Sequence, residues 1–291
     1  MTARIIDGKS IANSIKNEIA AAVSERTNAG LPIPGLATVL VGNDPPSQTY
    51  VRNKIKTCEK LGIHSFSHVL PKETTQDTLE KLVQDLNGNP LVHGILVQLP
   101  LPVHLDTYRI LSLIDPQKDV DGIHPVNAGL LSRKENNPWF IPCTTAGILH
   151  LIHTVIPDIS GLEAVVIGRS AIVGMPTALL LCRHDATVTI CHSKTVGLPE
   201  ICRRADIVVA AVGQSNMVKS DWIKPGAVVI DVGISRVPDE TDPRGYHITG
   251  DTDFEAILNI AKAITPVPGG VGPMTIAMLM RNTLTAAIRN S

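Results

Sequence analysis

Aromatic residues are scarce in this 291-residue chain: three Phe, three Tyr and two Trp, 3% of the whole. A surface that stacks nucleic-acid bases needs more rings than that. Charge is balanced too, with 26 Lys and Arg against 27 Asp and Glu for a net charge of −1. That leaves no electrostatic case for a nucleic-acid or anionic-membrane partner. No run approaches the ~18 apolar residues of a spanning helix. The opening stretch, MTARIIDGKS, lacks the apolar core of a secretory signal. The five cysteines (58, 143, 182, 191, 202) are odd in number and form no CxxC pair. Reduced thiols in the cytoplasm are the expectation. There is no HExxH. His150 and His153 stand three apart without a nearby Glu, and Asp119 and Asp121 have no third ligand at suitable spacing, so no metal site is expected. What is present is 44% hydrophobic and 18% charged residues, which suits a soluble globular protein. The length suits two domains.

One stretch organises the rest. Leu36–Val41 reads as a strand, Gly42–Pro46 as a turn, and the residues from Ser47 (the expected N-cap) to Gly62 as a helix. Val51, Ile55 and Cys58 recur at i, i+4, i+7 and form its buried face. Tyr50 and Lys54 share a face one turn apart. That face lies beside the C-terminal end of the strand, where open α/β sheets place ligands. A Lys held there acts as an acid or base if its pKa is lowered; the plainer account is a solvated Lys beside a half-buried Tyr.

Around this stretch, strands and helices alternate, which predicts a parallel α/β layer. Residues 10–29 read as a helix with Ile11, Ile15, Ile19 and Val23 on one face. A strand follows at His64–Val69 and a helix at Thr75–Leu86, capped by Thr74 or Thr75. The buried strand from Val92 runs into Gln98 and two prolines. Gln98 is either satisfied by loop backbone or aimed into a site. Asp119 and Asp121 flank one Val, so in extended chain they point the same way. Cys143 has no evident base partner and reads as a buried thiol.

The second half repeats strand and helix in the manner of a doubly wound sheet. Ala164–Gly168 leads through Arg169-Ser170 to Gly174 and a helix, Thr177–Arg183. A strand, Ala186–Cys191, ends in His192-Ser193-Lys194. A glycine turn at a helix start suits phosphate. An NAD-preferring fold places an acid after the second strand. Here Ser193, Lys194 and Arg169 offer a hydroxyl and two cations, so NADP is expected. Asp206–Gly213 and Ala227–Ile234 are further buried strands. The loop Thr265–Pro273 is dense in Gly and Pro, which suits a ligand wall. Pro273 is expected at N1 of a final helix whose apolar face is Ile276, Met280, Leu284 and Ile288.

Several segments converge on one family: VGNDPPSQTYVRNKIKTC, GILVQLPLP, KDVDGIHPVN, PCTTAG, VIGRSAIVGMP, TVTICHSKT, GQSNMVKSDWIKPGAVVIDVGI and ITPVPGGVGPMTIAMLM. They span nearly the whole chain, and the chain resembles the bifunctional methylenetetrahydrofolate dehydrogenase/cyclohydrolases. Pro46 and Thr145 depart from residues common there (Ala and Pro), and Asp185 is another small departure. The resemblance implies an N-terminal folate-binding domain (1–121) and a Rossmann-type NADP-binding domain (122–273). Residues 274–291 return to the former, with the active site in the cleft between domains. It implies NADP-dependent oxidation of 5,10-methylenetetrahydrofolate and hydrolysis of the methenyl product to 10-formyltetrahydrofolate, in one-carbon metabolism. By similarity Lys54 is the acid–base group, Tyr50 positions folate, Gln98 holds Lys54 and Asp121 grips the pterin. Further folate contacts fall at Val51, Arg52, Asn53, Val97, Leu99, Pro268, Gly269, Gly270, Val271 and Gly272. Cofactor contacts fall at Gly168, Arg169, Ser170, Ser193 and, through its backbone, Ile234. A cytoplasmic homodimer is the family expectation. A dehydrogenase that has lost the hydrolysis, or a non-catalytic NADP-binding protein, is the alternative.

Overall fold

The structure, a computed structural model, describes residues 2–290. The chain divides into two compact units. One comprises the N-terminal stretch through Ala12 together with Thr144–Thr275; the other comprises Asn13–Cys143 and the residues from Ile276 onward. Among the described residues, no helix is long and apolar enough to cross a membrane.

The unit containing Thr144–Thr275 is built on a six-stranded parallel sheet. Its order is Arg4–Ile5, Ala263–Ile264, Val228–Asp231, Ile207–Ala210, Glu163–Ile167 and Thr187–Cys191. The three central strands are runs of Val, Ile and Ala. A parallel sheet covered on both faces requires such runs rather than alternation. Val165, Ile167, Val208, Val229 and Ile264 form the heart of its core. The first strand, only two residues long, shows no periodicity that a sequence reading could detect. A separate antiparallel hairpin, Ser235–Pro238 with Tyr246–Thr249, follows the interior strand Val228–Asp231.

The other unit holds a three-stranded parallel sheet in the order His64–Leu70, Gly35–Val41, Gly94–Val97. All seven residues of the central strand are buried. The chain leaves that strand toward one neighbour and later returns to its other side. Its C-terminal end is therefore the point where strand order reverses, the crevice in which open sheets receive ligands.

Several local expectations shift. The helix expected from Ser47 runs Pro45–Leu61, and its N-cap is Asp44, whose carboxylate accepts from the Ser47 amide at 3.0 Å and hydroxyl at 2.7 Å. Prolines at the first two positions cost nothing there, because first-turn amides lack helical partners. For the same reason Pro273 is the third residue, not the first, of the final helix, Val271–Arg289. On that helix Met280 and Leu284 are buried as expected, but Ile288 is 53% exposed; Ala277 and Ala287 complete the buried stripe. The first helix is Gly8–Asn28, and Thr75 caps Gln76–Gly88.

Candidate active site

Lys54 lies on the Pro45–Leu61 helix with Val51 and Cys58 one turn to either side, both buried. Those two fix the helix's rotation, and Lys54 is carried inward with them, only 9% exposed. Its Nζ donates to Gln98 Oε1 at 3.0 Å, and Gln98 Nε2 donates to the Leu99 carbonyl at 2.7 Å. Gln98 therefore satisfies loop backbone with one end and Lys54 with the other. Tyr50, one turn earlier, is 43% exposed and free to meet a ligand. Arg52 and Asn53 are exposed, whereas Val97 is buried.

Burial lowers the pKa of Lys54, because an ammonium loses its hydration there. Asp121 and then Cys143 oppose that shift. The sequence reading gave Asp121 a binding role alone; its carboxylate also stands within electrostatic reach of the lysine. Cys143 is buried, and burial, reinforced by Asp121, raises its thiol well above the ordinary value. It donates to the Val120 carbonyl at 3.2 Å, an inert packing role.

Asp119 and Asp121 do not sit in extended chain. Residues 120–121 are in a turn, and Asp119 is buried while Asp121 is half-buried. The reason is local hydrogen bonding: the Asp119 carboxylate accepts from the amides of Ile123 (3.2 Å) and His124 (2.8 Å) and from Asn127 Nδ2 (2.8 Å). Burial still pushes its carboxyl up to about 7, against those bonds. Asn282, which the sequence reading missed, donates from Nδ2 to the carbonyls of Val120 (2.9 Å) and Ile141 (3.4 Å). It thereby holds the turn that carries Asp121. Its only signal was an amide on a largely apolar helix.

The remaining assigned positions belong to the other unit. Gly168, Arg169 and Ser170 follow Glu163–Ile167, Ser193 follows Thr187–Cys191, and Ile234 follows Val228–Asp231. All lie at the C-terminal edge of one parallel sheet, and all but Gly168 are exposed. Ser170 Oγ accepts from the amides of Val173 (3.2 Å) and Gly174 (3.3 Å) and so closes the helix start. A Cβ on Gly174 would strike the Gly168 carbonyl, which accounts for glycine there. Arg169 and Lys194 have no ion pair among the described residues, and with Ser193 they suit a phosphate. Pro268–Gly272 lies in this unit up to the start of the last helix, and the Gly269 carbonyl accepts from the Lys9 amide at 2.9 Å.

Two family models match the chain. Residues 6–121 match the tetrahydrofolate dehydrogenase/cyclohydrolase catalytic domain, and residues 142–291 match the NAD(P)-binding domain of the same enzymes. The chain is 54% identical to the bifunctional protein FolD of Rhodospirillum centenum, over 99% of this chain and 95% of that one. It is also 54% identical to the chloroplastic bifunctional protein FolD 4 of Arabidopsis thaliana, over 98% of this chain and 79% of the relative. The Trypanosoma brucei methylenetetrahydrofolate dehydrogenase-cyclohydrolase, solved with NADP cofactor and an inhibitor, superposes with a TM-score of 0.94. The two are 45% identical, covering 99% of this chain and 98% of the other.

Proposed function

The chain belongs to the tetrahydrofolate dehydrogenase/cyclohydrolase family, and from that premise we propose how its residues divide two reactions. It oxidises 5,10-methylenetetrahydrofolate with NADP⁺ and hydrolyses the methenyl product to 10-formyltetrahydrofolate. The observation that carries the assignment is the buried, Gln98-held Lys54 with its lowered pKa. The methenyl substrate is a cation, already electrophilic at carbon, so hydrolysis lacks only proton transfer. Neutral Lys54 takes the proton of the attacking water and returns it to the departing ring nitrogen. The substrate's own positive charge favours the neutral amine further. Gln98 orients Nζ through a neutral oxygen, whereas a carboxylate in its place would raise the lysine's pKa. Asp121 pairs with the donor edge of the aminopyrimidine, and Tyr50 supports the folate ring system. Val51, Arg52, Asn53, Val97, Leu99 and the Pro268–Gly272 loop complete the folate contacts.

Bound NADP⁺ supplies the hydride acceptor. The exposed hydroxyl of Ser193 and the cations Arg169 and Lys194 fit its additional phosphate. Gly168 and Ser170 shape the turn that receives the dinucleotide, and Ile234 meets its nicotinamide end. No side-chain base is needed for the hydride step. The reading extends to a homodimer that works in the cytoplasm without a nucleic-acid partner, and to a domain division at 121/122 with the last helix returning to the folate domain.

The test is a product time course with methylenetetrahydrofolate and NADP⁺, separating methenyl- and 10-formyltetrahydrofolate against a no-enzyme control. Accelerated formyl product is expected. Accumulation of methenyl with only background hydrolysis would remove Lys54 from its role. In the same assay Asp121→Ala should raise the KM for folate in both reactions; a loss confined to one would overturn its binding role.

A further inference from the structure

Two buried, densely bonded carboxylates of the Thr144–Thr275 unit remain without a part in the chemistry. Asp231 ends the Val228–Asp231 strand and is 2% exposed. Its Oδ1 accepts from the amides of Gly233 and Asp251, both at 2.9 Å. Its Oδ2 accepts from the Thr252 amide (2.8 Å) and hydroxyl (2.7 Å). Asp251, wholly buried, accepts in turn from three successive amides: Val212 (2.6 Å) and Gly213 (3.0 Å) on Oδ2, and Gln214 (2.8 Å) on Oδ1. The chain approaches so closely that a Cβ on Gly233 would collide with the Asp251 carboxylate, and one on Gly250 with that of Asp231.

We propose that Asp231 and Asp251 form a relay that positions the nicotinamide end of the cofactor site. Asp231 holds the backbone of Asp251, and the Asp251 side chain holds the loop Val212–Gln214. The same Asp231 oxygen that grips Asp251 also grips Gly233, the neighbour of Ile234. Two crossover loops at the C-terminal edge of the sheet, after Ile207–Ala210 and after Val228–Asp231, are thereby set by one pair of carboxylates. Consecutive amides turned to one point make a nest that would bind an anion. Asp251 fills that nest, so the loop offers the cofactor a shaped wall rather than a second phosphate site, and phosphate is left to the Gly168–Ser170 turn. The relay also closes the root of the Ser235–Thr249 hairpin, since Asp231 and Asp251 stand at its two ends.

The proposal rests on the assignment of Ile234 to the cofactor, and the experiment separates the two. NADP⁺ binding is measured by calorimetry on the full chain, with dehydrogenase and cyclohydrolase rates beside it, well below each variant's melting temperature. Asp251→Asn keeps the shape but puts an NH₂ against amide donors. A rise in the NADP⁺ Kd of tenfold or more is expected, with the dehydrogenase falling in step and the cyclohydrolase, at saturating methenyl substrate, staying within twofold. Thr252→Val removes one donor from Asp231, and Thr252→Ser restores it. A threefold or greater rise in Kd is expected for the valine and wild-type binding for the serine, and this pair decides alone if Asp251→Asn does not fold. Wild-type NADP⁺ affinity in both Asp251→Asn and Thr252→Val would overturn the relay, as would equal loss of both activities. Ile234→Pro deletes that residue's amide and tests the underlying assignment by itself: unchanged affinity there sinks the assignment, not the relay.

Discussion

Lys54 and Asp231 are both charged groups buried at the C-terminal end of a parallel sheet, and they are treated in opposite ways. Lys54 has three donors and makes one hydrogen bond, to Gln98. Asp231 takes four donors on two oxygens. A buried charge that is under-bonded is driven toward its neutral form, and for a lysine that form is a base. A buried carboxylate surrounded by amides becomes a rigid fixture instead. Burial is the largest influence on Asp231 and leaves its pKa raised, its hydrogen bonds only opposing that rise. The same burial thus shifts both groups toward their neutral forms; what differs is the bonding, which fixes Asp231 in place and leaves Lys54 with donors to spare.

The contrast can be broken at several points, most severely at the lysine. Lys54→Met removes the acid–base group while keeping the packing, and the cyclohydrolase rate should fall by ~10²–10⁴. A wild-type rate would dismiss the residue from the mechanism. Gln98→Glu gives Lys54 the kind of partner Asp231 enjoys. The lysine's pKa should rise, so its neutral fraction at pH 7 should fall. Cyclohydrolase activity should fall with it and recover as pH is raised; a pH profile that does not move would show that Gln98 is not the group tuning Lys54. Gly250→Ala attacks the other side by thrusting a methyl into the Asp231 carboxylate. A stability loss of ~1–3 kcal/mol is expected, visible as a melting temperature lower by several degrees. An unchanged melting curve would mean that the relay is loosely held. The smallest effect concerns Thr145. Its hydroxyl is wholly buried against that of Thr177, 3.3 Å away. Thr145→Val should cost about 1 kcal/mol by leaving one hydroxyl unpaired, measured by denaturant titration with both activities unchanged.

What could be read in advance follows the same division. Gln98 was legible as a polar residue at the end of an apolar strand, whereas the burial of Lys54 was not: its spacing paired it with Tyr50 and left a solvated lysine as the plainer account, and only the resemblance singled it out. The strand read as Ala227–Ile234 stops at Asp231, where the carboxylate turns to bond the loops, whereas the strands Glu163–Ile167 and Thr187–Cys191 were legible from their β-branched runs. The Asp44 cap was not, since two prolines suggested a turn and their fitness for a first helical turn was overlooked. Nor was the turn at Asp119, because three hydrogen bonds to residues downstream override the extended geometry that an Asp-Val-Asp spacing implies. Asp231 and Asp251 stand twenty residues apart with a hairpin between them. No local pattern announces a bond of that kind, and only the fold brings the two together.

Asn282 gives the protein's synthesis a direction. The turn that presents Asp121 is finished by an amide contributed more than 150 positions later in the chain. Strands, lysine and glutamine have all been made by then, yet the turn that carries Asp121 still lacks the amide that holds it. A nascent chain stalled before Asn282 emerges from the ribosome carries that turn unfastened, and only the final stage of translation supplies its bond.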